Sequence, residues 1–180
     1  MRLPGDDVLP DAGLVMDRVL RLDGAPEDVW PWVEQLGKER AGWYMPRAVE
    51  RFVPRSRRAT RAIQPHLLGL SVGDRIPDWG QGTPYFEVLQ IEPPRHLVYW
   101  SERERKPRRG VARPPMRLTW TLVLSELGPA ATQLHLRLRL DLGHAPGPVP
   151  RYGGDLLDRV TVALLGRGLN ERLRQEAKSA

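Results

Sequence analysis

Two segments of the chain alternate between apolar and polar positions over their whole length. In Met116–Glu126 every second residue is apolar (Met116, Leu118, Trp120, Leu122, Leu124), with Arg117, Thr119, Thr121 and Val123 between them. In Leu134–Leu142 five leucines alternate with His135, Arg137, Arg139 and Asp141. A period of two is that of a strand with one face buried. The short connection between them carries Gly128-Pro129, which predicts an antiparallel hairpin. Weaker strand patterns lie at Val15–Asp23, Ser71–Pro77, Tyr85–Ile91 and Leu97–Glu102, separated by turn residues such as Pro93-Pro94.

Helical spacing occurs in three places. After Gly24-Ala25-Pro26, the residues Val29, Trp32, Val33 and Leu36 recur every three or four positions, and Gly37 ends the run. Pro26 suits a first helical position, and Glu27 and Asp28 suit the positive end of the helix dipole. Pro31 lies inside this run and predicts a distorted or kinked first turn. A shorter helical patch spans Pro46–Phe52, after the turn Gly42-Trp43-Tyr44. One long helix is predicted over about 154–178, with Leu156, Leu157, Val160, Leu164, Leu165, Leu169 and Leu173 as its apolar face. The order is strand, short helices, several antiparallel strands, long helix. The fold class is therefore α+β, a curved antiparallel sheet wrapped around a long C-terminal helix that covers its apolar face. Residues 1–13 are polar and rich in Pro and Gly, and read as a loose N-terminal arm; residues 14–180 read as a single domain.

This order, and the residues APEDVWPWVEQLG (Ala25–Gly37), AGWY (Ala41–Tyr44), VGDRI (Val72–Ile76), FEVLQIEPPRHLV (Phe86–Val98) and LTWTLVL (Leu118–Leu124), resemble the polyketide cyclase/dehydrase and START-like superfamily (SRPBCC, Bet v 1-like). The resemblance runs from about Met16 to Glu176. It implies a helix-grip fold with a cavity between the sheet and the C-terminal helix. It implies no shared catalytic set, since such folds host very different chemistries. A cavity of this kind requires an apolar lining, and the candidate lining residues are Trp32, Trp43, Tyr44, Phe86, Tyr99, Trp120, Leu138 and Leu164. Each is either a wall of that cavity or filler of the core. Within Ala25–Tyr44, Trp32 is expected to face the core, and Trp43 and Tyr44 to stand at the mouth.

Composition narrows the chemistry. There is no cysteine, hence no disulfide, thiolate metal site or cysteine nucleophile. The four histidines, His66, His96, His135 and His144, are far apart and lack metal-ligand spacing, so no metal or cofactor is expected. His135 is expected on a solvated strand face; His66 and His144 sit in breakers where an acid or base could act. Asp74 and Arg75 read as a structural pair or a polar anchor, and Tyr85 and Tyr99 as possible hydrogen-bond donors to a carbonyl or enolate. Gly166 and Gly168 interrupt the long helix, through tight packing or close approach of a ligand.

The net charge is +6 and the pI about 10.3. Only Lys38, Lys106 and Lys178 are lysines; the rest of the basic residues are arginines, offset by 22 acidic residues. The basic strings Ser56–Arg61 and Arg103–Arg109 have no interleaved aromatics for base stacking. Nucleic acid is therefore not expected as a partner. No apolar stretch reaches transmembrane length, and the N-terminus lacks a signal-peptide core, which together point to a cytoplasmic protein. The function expected is binding of a small hydrophobic ligand, as carrier, sequestering or sensing module. The alternatives are a cyclase/dehydratase-type lyase and a regulatory module that meets a protein, RNA or membrane through its basic loops.

Overall fold

The computed structural model describes residues 1–79, 83–107, 110–143 and 148–178. Six strands form one antiparallel sheet: β1 (Leu14–Asp23), β2 (Arg75–Pro77), β3 (Tyr85–Glu92), β4 (His96–Arg103), β5 (Met116–Gly128) and β6 (Ala131–Asp141). Their order across the sheet is β1-β6-β5-β4-β3-β2. Helices α1 (Pro26–Glu34) and α2 (Arg47–Glu50) follow β1, and α3 (Pro148–Glu176) closes the chain. Short 3-10 turns occupy Arg55–Arg57 and Pro65–Leu67.

The period-two leucines do what their spacing requires. Leu22, Leu122, Leu124, Leu134 and Leu136 are buried on the concave face, together with Leu97 and Val88. Register places Tyr99 opposite Trp120, and Trp120 opposite Leu138, so one row of the sheet is a band of large apolar side chains. β2 is shorter than its sequence suggests. Ser71–Asp74 closes into a turn instead, in which Asp74 accepts the Ser71 N–H at 2.8 Å. Asp74 and Arg75 thus do not pair with each other; Arg75 reaches Glu87 at 3.6 Å and covers the Tyr85 ring.

α1 runs through Pro31 to Glu34. Asp28 accepts the Ala25 N–H at 3.2 Å, half of a capping box at its start. Its buried side includes Val29, Trp30, Trp32 and Val33.

The long helix begins earlier than its periodicity predicted, and it is turned differently. Leu156, Leu157 and Val160, expected in the core, are 64%, 66% and 50% exposed. The stripe that meets the sheet is Asp155, Asp158, Val162, Leu165, Leu169 and Leu173, at steps of three and four. The reason is Arg18, which stands on the concave side of β1 and pairs with both Asp155 and Asp158. Two ion pairs start the stripe and leucines continue it.

Residues 1–13 are not loose. Leu3 and Leu9 are buried, and the Thr121 hydroxyl donates to the Pro4 carbonyl at 3.1 Å. Asp6 accepts from Arg137 at 2.7 Å, and Arg139 donates to the Leu9 and Pro10 carbonyls. The segment covers the convex face of the sheet, whose polar stripe of arginines binds it. His135, expected to be solvated, lies on this face with its side chain 12% exposed and its Nε2 2.5 Å from Asp17.

Candidate functional site

A cleft of about 420 Å³ opens between α3 and the concave face. Its walls are Trp43 and Met45 from the loop before α2, Asp78 and Trp79 after β2, Phe86, Trp120 and Leu138 from the sheet, and Asp158, Thr161 and Val162 from α3. Its floor is an aromatic cluster centred on Trp120. The Trp120 ring lies 6.1 Å from Trp43 with planes 24° apart, 5.9 Å from Tyr99 at 22°, and 5.9 Å from Phe86 at 41°. Stacked and tilted rings at these separations are favourable and rigid. Beneath them lies a recess of about 20 Å³ bordered by Leu36, Ile76 and Tyr99, so the inner cluster is closely packed. Trp79, half exposed, stands at the rim.

The loop that carries Trp43 is fixed at both ends. Gly37 and Gly42 bridge one another, and the Trp43 indole N–H points at the Thr161 carbonyl of α3, 3.4 Å away. Behind it, α3 presses directly on the chain at Gly168. A β-carbon there would lie 2.7 Å from backbone atoms of Tyr44 and Met45. At Gly166 it would meet the Leu20 side chain at 3.0 Å. Both glycines therefore serve helix packing, and neither faces the cleft.

Of the eight residues expected to line a cavity, Trp43, Phe86, Trp120 and Leu138 line the cleft and Tyr99 its recess. Burial pushes the Tyr99 phenol well above the usual range, and its oxygen has no hydrogen-bond partner. Trp32 and Tyr44 are elsewhere. They pack edge to face at 5.6 Å in the core, where the Tyr44 hydroxyl donates to the Trp32 carbonyl at 2.9 Å. Trp32 also donates to Glu176 and borders a separate surface hollow of about 210 Å³ with Arg61 and Arg172. Tyr44 lies instead under the guanidinium of Arg172. Leu164 is half-buried and not part of the cleft wall. Sequence reasoning missed Met45, Trp79, Thr161 and Val162, and above all Asp78 and Asp158.

Both carboxylates have arginine partners. Asp78 pairs with Arg103, which also covers the Phe86 ring at 5.2 Å. Asp158 Oδ2 lies 2.8 Å from Arg18 Nε. Burial raises Asp158 above the usual carboxylate range; Arg18 opposes this and the charge of Asp155 adds to it. A second buried network stands behind the cleft. Arg172, fully buried, donates to Glu50 at 2.7 Å, and Arg61 donates to Glu50 at 2.6 Å. Burial works to raise Glu50, but the two arginines outweigh it and hold the carboxyl below its usual range.

The remaining sequence candidates among the described residues do not line the cleft. His66 is exposed on a 3-10 turn, and His144 is outside the described residues. Tyr85 is exposed under Arg75. In the basic strings, Arg58 donates to the Val53 and Arg51 carbonyls, Arg61 binds Glu50, Arg103 binds Asp78 and Arg105 donates to Leu142. A wider crevice of about 760 Å³ lies between Thr83–Tyr85 and Glu102–Pro107. Charged side chains, from Glu102 to Lys106 with Arg113, make up most of its lining. Among the described residues no cluster of His, Asp or Glu is arranged to hold a metal, and no helix is long and apolar enough to cross a membrane.

Comparison with solved structures bears on the architecture. A protein from Mesorhizobium loti superposes with a TM-score of 0.51 at 17% identity, over 88% of this chain and 98% of that one. A protein from Rhizobium loti gives 0.52 at 14%, over 87% and 96%. The chain has the helix-grip fold, one antiparallel sheet with a long C-terminal helix packed on it. A START superfamily protein from Mycobacterium smegmatis also matches, with a TM-score of 0.47 at 14% identity over 89% and 97% of the two chains. No family model and no curated protein matches the sequence. In this helix-grip chain α3 packs chiefly against β1, and the cleft lies between α3 and the row that carries Trp120 and Leu138.

Proposed function

We propose that this protein binds a small hydrophobic molecule in the cleft between α3 and the sheet, as a carrier, sequestering or sensing module. The observation that carries the reading is the cleft itself: about 420 Å³, walled by Trp43, Trp79, Phe86, Trp120 and Leu138. A pocket of that size, mostly apolar with few polar groups, has the character of a small-molecule site. Burying roughly 300 Å² of apolar ligand surface would contribute about 7 kcal/mol at about 25 cal/mol per Å². After the cost of immobilising the ligand, micromolar affinity follows without any reaction.

Cyclase or dehydratase chemistry would need two titratable groups converging on the bound molecule. Asp78 is tied to Arg103 and Asp158 to Arg18, and the Tyr99 phenol of the recess is buried and holds its proton more tightly. Binding is therefore the reading the geometry favours. Native mass spectrometry of the purified protein tests it, together with titration by apolar aromatic probes. A co-purifying apolar molecule, or probe binding that weakens in Trp43→Ala, is the expected result. No adduct and no probe binding would sink the proposal.

A further inference from the structure

One lobe of the surface gathers arginines that have no carboxylate partner. Residues 47–58 fold as α2, a turn and a 3-10 turn, and carry Arg47, Arg51, Arg55, Arg57 and Arg58, all exposed. The single acid of this stretch, Glu50, is buried and engaged by Arg172 and Arg61. Glu171 accepts the Arg47 backbone N–H at 2.8 Å, and the Arg47 side chain donates to the neutral Gln175 at 3.0 Å. Among the described residues no carboxylate lies within ion-pair distance of the five side chains. Phe52 stands in the same run, 78% exposed, with the Arg51 guanidinium 4.7 Å from its ring centre. This exposure is built in: Arg58 donates to the Val53 and Arg51 carbonyls at 2.8 and 3.2 Å and closes the turn that presents the ring. A lone exposed apolar side chain needs no explanation. One set among five uncompensated guanidinium groups is a different case, because like charges on one lobe repel each other and an anionic surface relieves that repulsion.

We infer that this lobe docks the protein on an anionic lipid bilayer, with Phe52 entering the headgroup boundary and the arginines pairing with lipid phosphates. Basic side chains around an apolar tip are what such an interface binds. The planar guanidinium fork suits phosphate oxygens, and its weak hydration eases the approach. Single-stranded nucleic acid fits less well. It needs open ring faces on which successive bases stack, whereas Phe52 is the only aromatic residue in this stretch and Arg51 already covers its ring. The lobe is also remote from the cleft. It leans on α3 at Glu171, ten residues and about 15 Å along the helix from Thr161 of the cleft wall, so docking and cleft occupancy are tested separately.

Cosedimentation of the purified protein with lipid vesicles tests this. Vesicles of phosphatidylglycerol and phosphatidylcholine in equal parts are expected to carry the protein down at low salt and to release it at high salt; phosphatidylcholine alone is expected to leave it in solution. Each basic side chain at such a surface contributes about fivefold to partitioning, so Arg55→Gln with Arg57→Gln should lower the partition coefficient roughly 25-fold. The side chains of these two make no hydrogen bond or ion pair among the described residues, so the fold does not depend on them. Phe52→Ala should lower it about tenfold. Lys106→Gln with Arg113→Gln is the control: it removes the same charge from the crevice beside β4 and should change partitioning less than about twofold. No partitioning, or equal partitioning onto both vesicles, would overturn the inference on the native protein alone. An equal loss in the control pair would overturn it too, as an effect of net charge. So would binding of a single-stranded RNA that is tighter than vesicle binding and requires Phe52.

Discussion

Among the described glycines, Gly168 makes the tightest approach to backbone, and it supports a quantitative prediction. A β-carbon at this position would lie 2.7 Å from Met45 N, Met45 C and Tyr44 C. All three are backbone atoms, so no side chain can swing away. To restore an ordinary contact of about 3.4 Å the helix must retreat by roughly 0.7 Å, and a close-packed seam resists that. Alanine gains about 1 kcal/mol of helix propensity over glycine. Overpacking typically costs about 1–3 kcal/mol, and contact with backbone belongs at the upper end of that range. Gly168→Ala should therefore destabilise the protein by roughly 1–2 kcal/mol net, a fall in Tm of some 2–8 °C for a chain of this size. Gly166→Ala is the control. Its β-carbon would meet only the Leu20 side chain at 3.0 Å or more, which can shift, so the propensity gain and the crowding should nearly cancel. The assay is urea unfolding of both variants, with slopes compared to confirm that the unfolded states are alike. A Gly168→Ala protein as stable as the native one, or more so, would refute the claim that this seam is backbone against helix.

Further outcomes are expected elsewhere. Tyr44→Phe removes a buried donor to the Trp32 carbonyl and should cost about 1–3 kcal/mol in urea unfolding, without changing probe affinity, since Tyr44 lies outside the cleft. Trp43→Ala should do the reverse: a tenfold or greater loss of aromatic probe binding by calorimetry, with a smaller change in stability, because the ring is only half-buried. Removing one partner of a buried ion pair leaves the other uncompensated, so Glu50→Ala should destabilise by about 3–5 kcal/mol. Glu50 and Asp17 are both held below their ordinary values of 4.5 and 3.8; for Asp17, burial is outweighed by the bonds from Arg137 and His135. A depressed carboxyl contributes stability that is present above its unfolded value and lost as pH falls through its folded one. The urea midpoint should accordingly drop below about pH 4.5, and Glu50→Gln should flatten that drop.

Much of the architecture could be read from the chain because leucine and its neighbours carry an unambiguous period. Met116–Leu124 and Leu134–Leu142 can bury one face in only one register, and Trp120 and Leu138 lie on that face by parity alone. The same reasoning failed on α3. Asp155 and Asp158 belong to the stripe that meets the sheet, and a carboxylate that meets a partly buried arginine does not look apolar in a periodicity count. Counting leucines thus rotated the helix, and placed Leu156, Leu157 and Val160 inside when they are outside. Arg18 was the missing cue, an arginine on the inward parity of β1, recognisable only once its partners across the chain are known. Trp32 and Tyr44 were attractive candidates because large aromatics wall pockets as readily as they fill cores. Their difference from Trp43 is one of facing, which a loop sequence does not encode. The N-terminal segment was misjudged for a related reason. Its prolines and glycines suggest freedom, but the arginines that hold it belong to β6, more than a hundred residues away.

The pairing of Trp43 with Trp120 has an optical consequence. Two indoles with centroids 6.1 Å apart and planes 24° from parallel share their electronic transitions. Such a pair produces a bisignate band in the far-ultraviolet circular dichroism, whose sign follows the handedness of the stack. A guest that slides between or beside the rings changes that coupling directly. The chain thus carries its own label-free reporter of cleft occupancy, which conservative replacement of either tryptophan by phenylalanine would silence.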